Sequence, residues 1–535
     1  MEKKWWHTSV IYQIYPRSFM DSNNDGIGDL KGIISKLPYL QNLGIDVIWL
    51  SPVYKSPMKD NGYDISDYED IDPIFGDLKD LETLINCGKA HGIKILMDLV
   101  VNHTSNQHKW FLESKKSKDN PYRDYYIWRD SPSNLGSTFG GSAWEYDKNT
   151  NQYYYHNFAV EQPDLNWENP QILEEICLMI NNWLEKGIGG FRLDVIDLIG
   201  KEIDKGIFGN GPKLHPLLKE LSSKTFSNYD IMTVGETWGA TPEIATLYSA
   251  PERQELSMIF QFEHMVLDWG NLGKWTPIEL DFLKLKMILS KWQKELVNGW
   301  NSLFWNNHDL PRIVSRWGND KTYRLESAKM LAITLHMMKG TPYIYQGEEI
   351  GMTNVKFNNI EDYNDVEIHG FYNDYVLNQK LMSHEDFMNG VYKMGRDNAR
   401  TPFQWSNCNE AGFTEGTPWL KINPNYTEIN AEEALNNKNS IFFTYQKLIA
   451  LRKNSVYTDT ILYGDYELLL DNDPNIFAYK RLHKNQEILV LSNFTVEIVP
   501  INLSLKNYDI LHSNYIDFSF NLMRPFESVI LVIYN

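Results

Sequence analysis

The segment IGGFRLDV (188–195) decides the fold, because it is an apolar run that carries charged residues only near its end. Seven similar runs occur along the chain, at 9–16, 45–52, 93–100, 230–237, 256–263, 301–307 and 342–349. Most are separated by stretches with apolar residues at three- and four-residue spacing, which predict amphipathic helices. Buried strands that alternate with such helices predict an α/β fold, a (β/α)8 TIM barrel.

Two regions depart from this alternation. The polar and aromatic stretch from Asn102 to about Asn169 is too long for an ordinary βα loop, so it predicts a small inserted domain over the barrel after the third strand. After Leu462, short alternating runs such as EILVLSNF predict a C-terminal antiparallel β-domain. The predicted domains are the barrel at 1–103 and 170–462, the inserted domain at 104–169, and a C-terminal β-sandwich at 463–535.

The composition excludes several classes of protein. The 535 residues include 70 acidic and 51 basic ones, a net charge of −19, which argues against nucleic acid as a partner. No apolar run approaches the roughly 18 residues of a membrane-spanning helix, so no membrane partner is expected. The start lacks the apolar stretch of a signal peptide, and three scattered cysteines suit a reducing compartment. We therefore expect a cytoplasmic protein.

Charged and polar residues stand at the ends of predicted strands three, four, five and seven. They are Asp98, His103, Arg192, Asp194, Glu236, His308 and Asp309. In a barrel of this kind the active site lies at the carboxyl ends of the strands. These residues are therefore candidates for catalysis.

Arg192 and Asp194 are two residues apart on a strand, so both side chains point to the same face. We expect the guanidinium to lower the pKa of Asp194 and keep it an ionised nucleophile. Glu236 has no cation beside it in sequence, and a wall formed by Trp238 would raise its pKa towards that of a general acid. Two such carboxylates predict retaining glycoside hydrolysis, with their carboxyl groups about 5–5.5 Å apart. The alternative is a structural ion pair with Glu236 near a helix cap.

Five longer segments resemble the sequence blocks of the α-amylase superfamily, glycoside hydrolase family 13. They are DLVVNHTS (98–105), QPDLNW (162–167), GFRLDVIDLIGK (190–201), TVGETWG (233–239) and NNHDLPR (306–312). QPDLNW resembles the form found in the branch of oligo-1,6-glucosidases and glucan 1,6-α-glucosidases, and RDNARTPFQW (396–405) extends the resemblance towards the end of the chain. The resemblance implies that Asp194 is the nucleophile, Glu236 the acid/base and Asp309 a third catalytic carboxylate.

The same resemblance implies a set of substrate-binding residues. Those expected around the glucosyl unit at the nonreducing end are Asp60, Tyr63, His103, Arg192, His308 and Arg400. Lys274 and Glu367 resemble the pair that holds the second glucose unit in α-1,6-specific members. Val195 follows the nucleophile, and in this branch valine there accompanies α-1,6 cleavage. The alternative for Val195 is ordinary packing within a barrel strand.

The segment DSNNDGIGD (21–29) predicts a structural Ca²⁺ site. Asp21, Asn23, Asp25, the backbone of Ile27 and Asp29 supply oxygen ligands at a suitable spacing, with a glycine for the sharp turn. The twelfth position is not Glu and a strand precedes the loop, so this is no EF-hand. The branch that the chain resembles has calcium in a matching loop. The alternative is a solvated turn rich in Asp and Asn.

The expected function is hydrolysis of α-1,6-glucosidic bonds at the nonreducing end of isomalto-oligosaccharides and short dextrans, by a retaining, exo-acting α-glucosidase. A small oligosaccharide is the expected partner, with no organic cofactor and a monomeric chain. The alternatives are a trehalose-6-phosphate hydrolase, a broader α-1,4/α-1,6 glucosidase, or a sucrose isomerase. The segment LMRPFES (522–528) resembles the sequence of trehalose-6-phosphate hydrolases. A non-catalytic sugar-binding relative is the alternative from outside the enzymes.

Overall fold

Eight parallel strands form a nearly closed barrel in a computed structural model that describes residues 2–534. The strands are β1 (Ile11–Ile14), β2 (Val47–Leu50), β3 (Lys94–Leu99), β4 (Gly190–Leu193), β5 (Met232–Thr237), β6 (Met258–Gln261), β7 (Ser302–Leu303) and β8 (Thr341–Tyr345). They follow the spatial order β6-β5-β4-β3-β2-β1-β8-β7, and a parallel bridge between Ile259 and Asn301 connects the two ends. The predicted barrel is confirmed, and each strand lies within or next to its predicted run.

Helices surround the barrel, between successive strands and after the last one. They are Leu30–Ser35, Leu37–Leu43, Leu78–Ala90, Pro170–Glu185, Leu214–Lys224, Pro242–Ser249, Phe282–Glu295, Ile313–Arg316, Arg324–His336, Ile441–Lys453 and Thr458–Tyr463. Asp77 and Asn169 cap two of them by accepting backbone N–H bonds. Residues 30–43 form two helices rather than one, because Pro38 restricts the residue before it. No helix in the described part of the chain is long and apolar enough to cross a membrane.

The insertion after β3 has its own small sheet. Its elements are the helix Lys109–Ser114 and the antiparallel strands Trp128–Arg129, Trp144–Asp147 and Gln152–Tyr155. Bridges from His103 to Asp164 and from Tyr126 to Leu165 join the start and the middle of the insertion to its end. The insertion therefore returns to the carboxyl end of β3, beside the barrel mouth.

The segment after β8 folds over the same end of the barrel around a separate apolar core. Its helices are Val366–Phe371, Tyr372–Asn378, His384–Met394 and Asp397–Arg400. Ile368, Phe387 and Val391 pack there with Trp275, which lies between β6 and β7. This packing holds the helix Asp397–Arg400 against the barrel.

The C-terminal region is an antiparallel β-domain, as predicted. Its main sheet contains Asp465–Leu469, Ile476–His483, Gln486–Asn493, Tyr508–Ser513 and Ser528–Ile533, and a smaller sheet pairs Val499–Pro500 with Leu522–Met523. Ile476 and Ala478 pack towards the smaller sheet, whereas Phe477 and Tyr479 join the barrel core. The period of two along a strand therefore attaches this domain to the barrel by one face.

Candidate active site

A cavity of about 390 Å³ opens at the carboxyl ends of the barrel strands. The residues predicted from sequence that line it are Asp60, Tyr63, His103, Asp194, Val195, Glu236, Lys274, His308, Asp309 and Glu367. Arg192 and Arg400 are buried directly behind this lining, where they contact Asp194 and Asp309. The predicted metal loop lies elsewhere and packs on residues 413–419. The structure thus brings all twelve predicted catalytic and substrate-binding residues together.

Three carboxylates share the Arg192 guanidinium. Nη1 donates to Asp98 Oδ1 at 2.8 Å and to Asp194 Oδ1 at 2.6 Å, and Nη2 donates to Glu236 Oε2. The strand register produces this arrangement, because Arg192 on β4 lies opposite Asp98 on β3 and Val234 on β5. Glu236 stands two residues beyond Val234 and so faces the same way. Three adjacent strands therefore meet at one cation.

The prediction that a lowered pKa keeps Asp194 ionised is wrong, although Arg192 acts in the predicted direction. Burial raises the pKa of Asp194 well above its ordinary value, and Arg192 opposes this effect while the Glu236 and Asp98 carboxylates add to it. Burial also raises the pKa of Asp98, against the effect of Arg192. Three carboxyl groups around one guanidinium carry excess negative charge, and keeping a proton among them relieves it.

Glu236 has both an aromatic neighbour and a cation. The Trp238 indole N–H donates to Oε1 at 2.9 Å, and the backbone N–H of Val195 donates to Oε2 at 3.1 Å. Trp238 itself stacks on Phe262 with ring centroids 4.1 Å apart. The predicted aromatic wall is present, but Arg192 supplies the cation that sequence proximity did not reveal. Three donors, from Arg192, Val195 and Trp238, thus fix the two oxygens of this carboxyl.

Val195 occupies a strained backbone conformation. Its φ of 34° and ψ of 45° lie in the left-handed region, which β-branched residues rarely adopt. The strand ends at Leu193, so the alternative interpretation, in which Val195 packs within a barrel strand, is wrong. The left-handed turn directs the Val195 N–H to Glu236 and places its side chain in the cavity lining.

A second guanidinium, Arg396, organises the other side of the cavity. Nη2 lies 3.3 Å from Asp60 Oδ1, Nη1 lies 3.1 Å from Asp309 Oδ1, and Nε lies 3.2 Å from Glu367 Oε2. Its Nε also donates to Asp365 Oδ1 at 3.0 Å. This one buried cation therefore links four carboxylates.

Two of the cavity carboxylates at Arg396, Asp309 and Asp60, differ in their ionisation. Burial alone would favour neutral Asp309, but His308, Arg396 and Arg400 hold its pKa well below the ordinary range. Burial raises the pKa of Asp60 to about 7, with Arg396 and Arg400 opposing. Burial also lowers the pKa of His308 to about 3, so its ring is neutral near pH 7. Asp309 is the stable anion of the site.

The loop DNGYD and the block QPDLNW hold the innermost polar groups. The carboxylate of Asp64 accepts the backbone N–H of Asp60 at 3.0 Å and closes the loop. Gln162 Nε2 donates to Asp60 Oδ2 at 3.1 Å and lies 3.2 Å from His103 Nε2. Burial lowers the pKa of His103 to about 4, so it too is neutral.

Tyr63 connects the two charge clusters. Its hydroxyl donates to Asp98 Oδ2 at 3.0 Å, which joins it to the Arg192 cluster. Its ring stacks on His308 with centroids 5.0 Å apart and an interplanar angle of 1°. His308 Nε2 in turn lies 3.1 Å from Asp309 Oδ2. These contacts fix the wall of the cavity that lies between the nucleophile and Asp309.

Several residues that shape the site were not predicted. Asp98 stands at a strand end that had been singled out, but it received no role, and Gln162 lies inside a quoted block. Arg396 begins the block RDNAR and stands four residues before Arg400, on the same side of a helical turn. That spacing was the available signal for Arg396. Asp365 had no signal, because its partner is 31 residues away in sequence.

Comparison with known proteins agrees with this geometry. Residues 13–461 match the family model described as "Alpha amylase, catalytic domain". The chain belongs to the α-amylase family. As a member of that family, it is a glycoside hydrolase, as predicted.

Comparison with individual proteins shows which members of the α-amylase family this chain is similar to. It is 55% identical to an oligo-1,6-glucosidase of Bacillus cereus, with 96% of each chain covered. It is 57% identical to a glucan 1,6-alpha-glucosidase of Streptococcus dysgalactiae subsp. equisimilis, with 92% of each covered. A crystal structure of a trehalose-6-phosphate hydrolase from Bacillus licheniformis superposes with a TM-score of 0.93 at 46% identity, with 100% of both chains covered.

Substitution of Arg396 should impair catalysis and change its pH dependence. Arg396→Lys keeps a charge but loses the planar set of donors, so kcat/KM for p-nitrophenyl α-glucoside should fall about 100-fold or more. Arg396→Met should raise the pKa of Asp309, so Asp309 takes up a proton at a higher pH. The acid limb of the pH profile of kcat/KM should therefore shift to higher pH. Arg129→Met, which removes a surface pair with Asp204, is the control. An unmoved acid limb in Arg396→Met would contradict this role.

Proposed function

We propose that the chain is a retaining, exo-acting α-glucosidase that hydrolyses α-1,6-glucosidic bonds at the nonreducing end of isomalto-oligosaccharides and short dextrans. The observation that carries the proposal is the pair of carboxyls, Asp194 and Glu236, held by one guanidinium in one cavity. Sharing a guanidinium keeps the two groups close together, as a retaining enzyme requires. The names of the relatives at 55% and 57% identity support the α-1,6 linkage.

In this mechanism Asp194 attacks the anomeric carbon and forms a covalent glucosyl–enzyme ester. Glu236 gives its proton to the glycosidic oxygen, so the leaving sugar departs with a hydroxyl group. Glu236 then takes a proton from water, and that water attacks the ester to release glucose and free Asp194. Two inversions at one carbon retain its configuration. Asp194 must be ionised when it attacks, and Arg192 is the group that opposes the effect of burial on its pKa.

Asp309 stabilises the charge that develops on the sugar ring. Its low pKa keeps it an anion, and the fixed charge acts more strongly on an oxocarbenium-like transition state than on the neutral substrate. Asp60, Gln162 and His103 form a hydrogen-bonded polar cluster suited to the hydroxyl groups of one terminal glucose. Binding of a single terminal glucose, beside an insertion that lies at the barrel mouth, supports removal of single glucose units rather than cleavage within a long chain.

The α-1,6 preference is also supported by residues on the leaving-group side of the cavity. Lys274 pairs with Glu367, as the resemblance implied, and both line the cavity. Val195 presents its branched side chain beside Asp194. We infer that these groups select the path of the leaving sugar.

A phosphorylated leaving group is the less favoured alternative. Phosphate binding requires an available cation, whereas Lys274 is paired with Glu367 and Arg396 with Asp365. The segment LMRPFES (522–528), which resembles trehalose-6-phosphate hydrolases, lies in the C-terminal β-domain. The argument therefore favours a neutral oligosaccharide.

We also propose that loop 21–29 binds structural Ca²⁺. The backbone N–H groups of Asn23, Asp25 and Ile27 each donate to the side-chain oxygen two residues earlier, and Gly26 takes a φ of 91° at the turn. Carboxylate, amide and carbonyl oxygens are the donors that Ca²⁺ prefers, so the donor set fits the ion in kind.

The same loop is also closed by hydrogen bonds of its own. Asp21 accepts from the Gly26 N–H at 2.8 Å and the Thr414 hydroxyl at 2.6 Å, and Asp29 caps the helix Leu30–Ser35. Within residues 2–534, no three acidic, His or Cys side chains converge in the manner of a metal site. We therefore infer that calcium, when bound, adds stability to a loop that already has its fold.

We propose that the enzyme acts as a monomer, because one chain provides every group that lines the cavity. A cytoplasmic location is consistent with Cys87, Cys177 and Cys408, all of which are free thiols.

Product analysis with a panel of glucosides tests the linkage. Isomaltose and panose should release glucose, while maltose, sucrose and trehalose 6-phosphate should react far more slowly. Val195→Ala should lower the isomaltose-to-maltose ratio of kcat/KM by about tenfold, because it removes apolar contact near the reacting bond. Val297→Ala, at an exposed position, is the matched control. A preference for trehalose 6-phosphate would overturn the proposed function.

Thermal unfolding tests the calcium site. The wild type should have a Tm several degrees higher with Ca²⁺ than with chelator, because the ion binds the folded loop. Asp25→Ala removes an exposed ligand and should abolish that difference. Asp21→Ala should lower Tm under both conditions, since it also removes hydrogen bonds. Equal wild-type Tm values with calcium and with chelator would refute calcium binding.

A further inference from the structure

Asp197 is a buried carboxyl that the mechanism above leaves without a role. The left-handed turn at Val195 leads into a short 3-10 turn, Ile196–Leu198, which brings Asp197 back to the cavity three residues after the nucleophile. Asp197 is 3% exposed and lines the same cavity as Asp194.

One of the two carboxyl oxygens of Asp197 is buried without a hydrogen-bond partner. Oδ1 accepts no hydrogen bond from any residue in the range 2–534. Asp60, Asp194 and Asp309, the other aspartates that line the cavity, all contact a guanidinium. Burial raises the pKa of Asp197 to about 7, and the nearby Glu236 carboxylate adds to the effect, whereas the backbone N–H groups of Gly239 and Trp238 donate to the Asp197 carboxyl and oppose it. A buried polar group without a partner costs stability, so its retention beside a ligand cavity needs an explanation.

A second polar group in this cavity is also unused. The indole N–H of Trp269 is buried and has no hydrogen-bond partner within the described chain. Trp269 lines the cavity near Trp238, with ring centroids 6.4 Å apart. The cavity thus holds one free acceptor, on Asp197, and one free donor, on Trp269. A sugar hydroxyl group can satisfy both kinds of group, because it donates and accepts.

The position of these groups indicates which sugar they would meet. Glu236 is the acidic residue that raises the pKa of Asp197. Trp238, the neighbour of Trp269, donates a hydrogen bond to Glu236. The acid/base residue must face the leaving oxygen, so its surroundings form the leaving-group side. The Arg396 cluster, by contrast, surrounds Asp60 and Asp309 at the glucosyl end.

We propose that Asp197 and Trp269 bind hydroxyl groups of the leaving sugar, and that the carboxylate of Asp197 repels leaving sugars that carry phosphate. This inference rests on the proposed function, because it assumes that the leaving group is a sugar. Asp197 accepts a hydrogen bond from a hydroxyl group and Trp269 donates one. A phosphate group near Asp197 would instead place two anions together without an available cation.

Kinetics on substrates with and without a leaving sugar test this proposal. We compare Asp197→Ala, Asp197→Asn and Trp269→Phe on isomaltose, p-nitrophenyl α-glucoside and trehalose 6-phosphate, with Tm as a check on folding. The ratio of kcat/KM for isomaltose to that for the aryl glucoside should fall about tenfold or more in Asp197→Ala, and less in Trp269→Phe. Asp197→Asn should increase the relative rate on trehalose 6-phosphate. Asp204→Asn, an exposed acid, is the matched control.

The outcomes separate this proposal from the proposed function. If Asp197→Ala lowers the rates on isomaltose and on the aryl glucoside by the same factor, Asp197 acts only through the position of Glu236 and the proposal is wrong. If the wild type does not cleave isomaltose, the proposed function fails. The ratio is then measured with the disaccharide that is cleaved, and an unchanged ratio again overturns the role of Asp197.

Discussion

The site depends on one buried guanidinium, Arg192, that three carboxylates share. Burying charges is costly, and only several short hydrogen bonds to well-placed partners offset the loss of hydration. The parallel register of β3, β4 and β5 supplies those partners, because it sets Asp98 opposite Arg192 and aims Glu236 at the same point. Removing Arg192 would leave mutually repelling carboxylates in a dry site. The barrel therefore positions the three carboxylates around one cation, and burial raises the pKa of Asp194 and of Asp98 despite that cation.

A second guanidinium, Arg396, divides the cavity into two regions of different chemistry. Around Arg192 the carboxyl groups outnumber the cation and favour a retained proton. Around Arg396 the nearby cations keep Asp309 ionised. A raised pKa at Asp194 and a lowered pKa at Asp309 thus coexist within one cavity, because each carboxylate experiences a different balance of burial and charge. Tyr63 and His308 lie between the two clusters and fix their relative placement.

The strands and the residues at their ends could be predicted because both depend on local sequence. Apolar runs revealed all eight strands, and the sequence blocks of the α-amylase superfamily contained most of the predicted site residues. Contacts between distant segments could not be derived this way: Glu236 lacks a cation in sequence, yet Arg192 is on the adjacent strand. The ionisation of Asp194 was predicted wrongly, because the prediction considered the nearby Arg192 but not the effect of burial on the pKa of Asp194. The left-handed Val195 was hidden because valine favours strands, and tertiary context overrides that preference.

The anomeric form of the first product tests the central claim most directly, namely that Asp194 and Glu236 act as nucleophile and acid/base from one shared guanidinium. Proton NMR of isomaltose hydrolysis in the first minutes, before mutarotation, distinguishes the two anomers of the glucose released from the nonreducing end. We predict that α-glucose appears first, because attack by Asp194 and then by water inverts the carbon twice. Initial release of β-glucose would show a single inversion and would contradict this account.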